Sequence, residues 1–235
     1  MVTIKDNIEK VEERILSACI RCGRQREEIV LMGVTKFQPI EAVEEAWGAG
    51  IRCFGESRVQ EAAGKYEGFT MRHPGVELHL IGSLQRNKAK LAASLFDCVQ
   101  SLDREALIAE LAKYASGRNS PLPVLLELRT GEDTKSGFAD LDGLYKAAEF
   151  ALGCPSLSVR GLMTMAPNTS EEGPVRAAFR KLATARQELE RRFPGHRAAQ
   201  HSWTCLSMGM SGDYEIAVEE GSTLLRIGGA IFTGA

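Results

Sequence analysis

The octet Ile29-Val30-Leu31-Met32-Gly33-Val34-Thr35-Lys36 is an apolar run of strand length that ends on a lysine, and residues 39–47 follow it with helical spacing. The same texture recurs down the chain. Strands are expected at 29–35, 52–55, 77–81, 98–101, 124–128, 159–163, 204–208 and 223–227. Helices are expected at 39–47, 85–93, 104–115, 141–151 and 175–191. Strands alternating with helices pair in parallel, and eight of them predict an α/β fold closed into a (β/α)8 TIM barrel, a fold of ~250 residues. An open doubly wound sheet is the alternative, but no G-x-G-x-x-G follows the first strand. Upstream, Ile4, Ile8, Val11, Ile15 and Cys19 recur at helical spacing, so an extra N-terminal helix is expected, with Thr3 and Asp6 placed to cap it. No linker or low-complexity tract interrupts the pattern, and one domain over 1–235 is expected.

Composition narrows the function. The 235 residues carry 29 Lys+Arg against 31 Asp+Glu, a net charge of -2, and only 6% aromatics. That balance lacks the basic excess and stacking platform of a nucleic-acid binder. No apolar run nears the roughly 20 residues that span a bilayer, and the charged start is unlike a signal peptide, so a cytoplasmic protein is expected. Six scattered cysteines read as free thiols. Cys19 and Cys22 have no second pair to complete a zinc site, and no metal is expected.

In a parallel barrel, ligands sit where strands end and the following loops begin. Lys36 stands at the first such end, beside Val34 and Phe37, where apolar walls would free its amine to condense with an aldehyde. After the seventh and eighth strands come Ser207, Gly209 and Ser211, then Gly228 and Gly229, just before a helix opening near Gly212-Asp213. Loops after strands seven and eight are a recurrent phosphate site, although glycines also serve plain tight turns. Arg226 lies inside an apolar strand and needs either a structural carboxylate or a ligand. His79 reads as a satisfied core histidine, Arg86, Lys88 and Lys90 as a solvated helix face, Glu132-Asp133-Thr134-Lys135 as an exposed loop, and Met163, Met165, Met208 and Met210 as packing.

An aldehyde-capturing lysine and an anion cradle at one barrel mouth suit pyridoxal 5′-phosphate (PLP). The motifs Gly33-Val34-Thr35-Lys36, Phe54-Gly55-Glu56 with Val59-Gln60-Glu61, and His79-Leu80-Ile81-Gly82-Ser83-Leu84-Gln85-Arg86-Asn87-Lys88 follow one another along the chain. They continue with Lys135-Ser136-Gly137-Phe138, Gly161-Leu162-Met163, Leu206-Ser207-Met208-Gly209-Met210-Ser211 and Arg226-Ile227-Gly228. Together they resemble the small PLP homeostasis proteins, which are similar to the N-terminal barrel of alanine racemase. The resemblance implies a Lys36 Schiff base with PLP, Ser207, Gly228 and Gly229 on the phosphate, and Arg226 facing the pyridine nitrogen. It implies a role in vitamin B6 balance with no catalytic residue, PLP-acceptor enzymes as partners, and a monomer or weak dimer. Ser57 and Arg58 stand where the family has Asn-Tyr, Gly229 where it has Thr, and Arg129 where it has Asn.

An arginine at the ring nitrogen cannot accept the pyridinium proton, which disfavours carbanion chemistry. Alanine racemase-like enzymes also take a second acid/base from an additional C-terminal domain, and a chain ending at Ala235 is expected to lack one. The alternatives are a slow PLP-dependent racemase, with Tyr214 or His79 as second base, and a cofactor-free aldolase using Lys36.

Overall fold

The structure, a computed structural model, describes residues 2–132, 136–194 and 201–234. Eight parallel strands close in sequence order: β1 (Val30–Val34), β2 (Cys53–Glu56), β3 (Glu77–Leu80), β4 (Cys98–Leu102), β5 (Leu122–Glu127), β6 (Leu157–Met163), β7 (Cys205–Ser207) and β8 (Leu224–Ile227). Pairing of β8 with β1, Ile227 opposite Gly33, seals the ring. This is the expected TIM barrel, and all eight strands fall where the apolar runs lie, with ends shifted by one or two residues.

Helices wrap the outside: α1 (Ile4–Cys22), α2 (Ile40–Gly48), α3 (Val59–Lys65), α4 (Phe69–Arg72), α5 (Ala89–Leu95), α6 (Glu105–Ala115), α7 (Leu141–Leu152), α8 (Glu172–Arg192), α9 (Tyr214–Glu219) and α10 (Gly229–Phe232). The helix expected at 85–93 is instead a 3-10 turn, Arg86–Lys88, running into α5. The short α3, α4 and α10 show too little periodicity to be read in advance. No helix among the described residues is long and apolar enough to cross a membrane.

The stripe of α1 is buried as expected, and Thr3 with Asp6 forms a reciprocal capping box. Buried Asn7 donates from Nδ2 to the Ile231 carbonyl at 2.9 Å, fastening α1 to the helix after β8. One glycine is obligatory inside the barrel. At Gly161, φ is +149°, and a Cβ would lie 1.9 Å from the Cys205 carbonyl oxygen. The β5–β6 register slips there, leaving Arg160 unpaired between Val159 and Gly161.

Alternation along each strand sends every second side chain inward. Cys53, Cys98, Cys205 and Leu224 fill the half nearer the strand starts, with Met32 and Leu125 among them. Gln100, Glu127, Ser207 and Arg226 occupy the half nearer the strand ends, all buried. The upper half of the barrel is therefore polar, and the lower half sets thiols and apolar side chains beside His79 and Glu77.

Candidate functional site

Three consecutive strands in the ring, β7, β8 and β1, carry Ser207, Arg226 and the lead-in to Lys36, so the expected site residues share one arc of the barrel mouth. Arg226 is 4% exposed. Its Nη1 donates to Ser207 Oγ at 2.7 Å and its Nη2 to the Thr164 carbonyl at 2.8 Å. Ser207 Oγ donates in turn to Gln100 Oε1 at 2.6 Å, and Gln100 Nε2 lies 2.8 Å from His79 Nδ1. A line of polar groups thus runs through the barrel's centre.

Every direct partner of Arg226 in that line is neutral. Burial lowers its guanidinium to about 10, still cationic at neutral pH, while Glu127 pulls the other way. Glu127 accepts from Ser136 Oγ at 2.8 Å through Oε1, and its buried Oε2 has no hydrogen-bond partner among the described residues. Burial pushes this carboxyl up to about 7, the Ser136 bond opposes the rise, and Asp103 adds to it. A buried cation on neutral acceptors, beside a buried carboxyl with a spare oxygen, fits a ligand carrying a ring nitrogen lone pair and an anionic group.

The residue before Lys36 is held from four sides. Thr35 N–H donates to the Gly55 carbonyl at 3.0 Å, and its carbonyl accepts from Lys65 Nζ at 2.7 Å. Thr35 Oγ1 donates to Glu56 Oε1 at 2.7 Å and accepts from Tyr66 Oη at 2.8 Å. Lys65 also reaches Glu56 Oε1 at 2.7 Å. Lys36 thus projects from a pinned backbone.

The apolar shelter expected around Lys36 is absent. Lys36 is exposed, and Phe37 points outward at 76% exposure. Phe37 also adopts φ +65°, the left-handed region that costs a non-glycine residue about 1–2 kcal/mol.

Ala230 N–H donates to Ser211 Oγ at 3.2 Å, tying the loops after β7 and β8 together. A Cβ on Gly228 would sit 3.4 Å from the Val34 carbonyl oxygen, so this loop rests on the end of β1. Gly229 opens α10 there, where the Ile231 and Phe232 N–H groups donate to the Gly228 carbonyl, each at 3.0 Å. The helix expected to open near Gly212-Asp213 begins at Tyr214, and Asp213 Oδ1 accepts from Met210 N–H at 2.6 Å.

Both residues considered as a second base lie elsewhere. Tyr214 is buried in the layer between strands and helices, with Arg14 of α1 stacked 5.6 Å from its ring centre. His79 lines a cavity of about 670 Å³ at the opposite, N-terminal end of the barrel, together with Asp97, Pro123 and Arg160. Arg58 pairs with Glu61 at 2.6 Å on the outside. Asp133, Thr134 and Lys135 lie outside the described residues.

Gln100, Thr164, Glu127 and the Glu56–Lys65–Tyr66 cluster were not singled out in sequence as site residues. Gln100 and Glu127 did carry a signal, since each is a polar residue in an apolar strand, as Arg226 is.

The family model described as "Alanine racemase, N-terminal domain" matches residues 5–235. The pyridoxal phosphate homeostasis protein of Vibrio cholerae is 41% identical over 235 residues, covering 99% of this chain and 96% of that one. Its Escherichia coli namesake is 40% identical over 237 residues, covering 99% and 97%. Among solved structures, PipY of Synechococcus elongatus with PLP bound superposes with a TM-score of 0.80 at 33% identity, covering 94% of this chain and 99% of PipY. Alanine racemase of Clostridium difficile shares the fold at a TM-score of 0.70 and 10% identity, covering 94% of this chain and 55% of the racemase. With matches spanning nearly its whole length, the chain belongs to the alanine racemase N-terminal-domain family and stands within it among the pyridoxal phosphate homeostasis proteins.

Proposed function

We propose that this chain is a single PLP-binding barrel that holds the cofactor at the mouth formed by β7, β8 and β1 and serves vitamin B6 homeostasis without classical catalysis. The observation that carries the reading is the buried Arg226–Ser207 pair lying on the same arc as the pinned turn of Lys36. The relatives named for PLP homeostasis and the PLP-bound PipY support the choice of ligand. PLP supplies an aldehyde open to reversible capture by an amine, an aromatic nitrogen and a phosphate.

Each feature has a counterpart in this chain. Lys36 offers the amine. Ser207 and the backbone N–H groups around Gly228 and Gly229 suit the phosphate, in loops that Ser211 and Ala230 hold together. Arg226 suits the ring nitrogen as a fixed donor. An arginine there leaves the nitrogen unprotonated, which weakens the ring as an electron sink and favours holding over turnover. The burial of Tyr214 and the placement of His79 at the far end support the same reading. A cytoplasmic location and PLP-acceptor enzymes as recipients belong to the proposal.

The test is an absorbance scan of purified protein before and after borohydride reduction, with mapping of the labelled peptide. The expected result is a near-visible band that is trapped on Lys36 and lost in Lys36→Ala. A band that persists in Lys36→Ala overturns the assignment. Incubation with single amino-acid enantiomers in deuterated water separates holding from turnover, because sustained α-proton exchange would make the chain an enzyme.

A further inference from the structure

We infer that the N-terminal end of the barrel, opposite the lysine mouth, is a zinc site built by Cys53, Glu77 and His79. Strands β2 and β3 pair with Cys53 opposite Glu77, and two-residue periodicity puts Glu77 and His79 on the same inner face. One ligand atom from each residue, Sγ, a carboxylate oxygen and a ring nitrogen, lies within 4.8 Å of the other two. His79 Nε2 and Glu77 Oε2 are 3.4 Å apart. That is close to the edge of a tetrahedron whose metal–ligand bonds are about 2.0–2.1 Å, roughly 3.3 Å.

The surroundings suit a bound ion. Cys53 and His79 are buried, while Glu77 stands at the rim of the 670 Å³ cavity. A thiolate, an imidazole and a carboxylate form a mixed S, N and O set of the kind zinc accepts, and three protein ligands leave a fourth position for water from the cavity. Thiolate and carboxylate together balance the two charges of the ion, which suits a partly desolvated place. Gln100 Nε2 stands 2.8 Å from His79 Nδ1, so turning that amide end for end would make it the outer partner that accepts from the ring of a ligating histidine. On binding, the Cys53 S–H bond breaks, its proton passes to solvent and an S–Zn bond forms. The His79 ring proton moves from Nε2 to Nδ1, and the Gln100 amide turns so that its oxygen accepts that proton while its Nε2 donates to Ser207 Oγ in place of the bond it had received from it. No electrons are exchanged. The pattern is invisible in sequence because the cysteine lies more than twenty residues from the other two, and only barrel closure brings them together.

The experiment is titration of the full chain with cobalt(II), then zinc(II), read by difference spectra. The expected result is one cobalt per chain, with a thiolate charge-transfer band and visible ligand-field bands of tetrahedral type, all removed by zinc. Cys53→Ser should abolish the charge-transfer band, and Glu77→Gln, at an exposed side chain that leaves folding intact, should weaken cobalt at least tenfold. Cys22→Ser and Cys154→Ser should change nothing. The inference is overturned if no band forms, if the band survives Cys53→Ser, or if Glu77→Gln binds cobalt as tightly as the parent. Lys36 takes no part in this site, so the Lys36→Ala protein should bind cobalt normally.

Discussion

Arg226 Nη1 and Ser207 Oγ meet at 2.7 Å inside the barrel, and the serine passes the contact on to Gln100 at 2.6 Å. The serine hydroxyl donates and accepts through one oxygen, so it lets an arginine and an amide oxygen share one buried site. Arginine and amide carbonyl are both satisfied through a single hydroxyl.

Ser207→Ala therefore leaves Arg226 Nη1 and Gln100 Oε1 buried with one partner fewer each. The expected cost is about 3 kcal/mol of stability, the sum of two unsatisfied groups, one of them charged. Urea unfolding checks it. Retention of PLP should also weaken about tenfold, equivalent to ~1.4 kcal/mol, measured by dialysis of the PLP-loaded protein. A variant as stable as the parent would remove Ser207 from the network.

Glu127 gives the barrel a pH dependence of definite sign. Its carboxyl titrates near 7 when folded, against 4.5 for a free side chain. Between those values the folded state keeps a proton that the unfolded chain has lost. The associated stability is complete below about pH 4.5 and disappears as pH rises through 7, a difference of about 3 kcal/mol. Glu127→Gln should thus match the parent at pH 4.5 and exceed it at pH 8 by up to that amount. Melting temperatures of both proteins across this range provide the check, and parallel curves would contradict the raised carboxyl.

The barrel was legible because its evidence is local. Each strand is a short apolar run, several of them closed by glycine, serine or lysine, and each long helix has a stripe, as Ile8, Val11 and Ile15 show in α1. Arg226 and Ser207 were legible for a related reason, since a charge or hydroxyl in an apolar strand demands a partner. What sequence hid was depth and direction. His79 and Arg226 look alike as polar residues in strands, yet one lines the lower cavity and the other supports the upper mouth. Phe37 looked like a wall for Lys36, and its positive φ turns it to solvent instead. Lys65, thirty residues beyond Thr35, reaches that residue's carbonyl only because α3 folds back over β2.

A glycine also tests the barrel's closure. At Gly161 an added methyl would collide with the Cys205 backbone, and that backbone belongs to the neighbouring strand rather than to a flexible side chain. Gly161→Ala should destabilise the protein by more than about 3 kcal/mol, beyond the range of ordinary surface changes. Gly173→Ala, where nothing lies within 4 Å of the added atom, is the matched control and should leave the urea midpoint unchanged or slightly raised.

Lys65 offers a way to disturb Lys36 without touching it. The Lys65 ammonium supports both the Thr35 carbonyl and the fully buried Glu56 carboxylate, each at 2.7 Å. Lys65→Met strips the cation from a buried pair, a change that costs about 3–5 kcal/mol when one partner is left behind. Adding Glu56→Gln removes the stranded charge, so the double variant should recover much of that loss. Thr35 keeps its bond to Gly55 in both proteins, and its carbonyl still lacks the Lys65 donor. The refolded double variant should therefore capture PLP more slowly than the parent while remaining stable, because the turn that aims Lys36 has lost one of its four restraints. Stopped-flow absorbance at the near-visible band measures the rate. Capture as fast as in the parent would show that the Thr35 carbonyl bond plays no part in aiming the lysine.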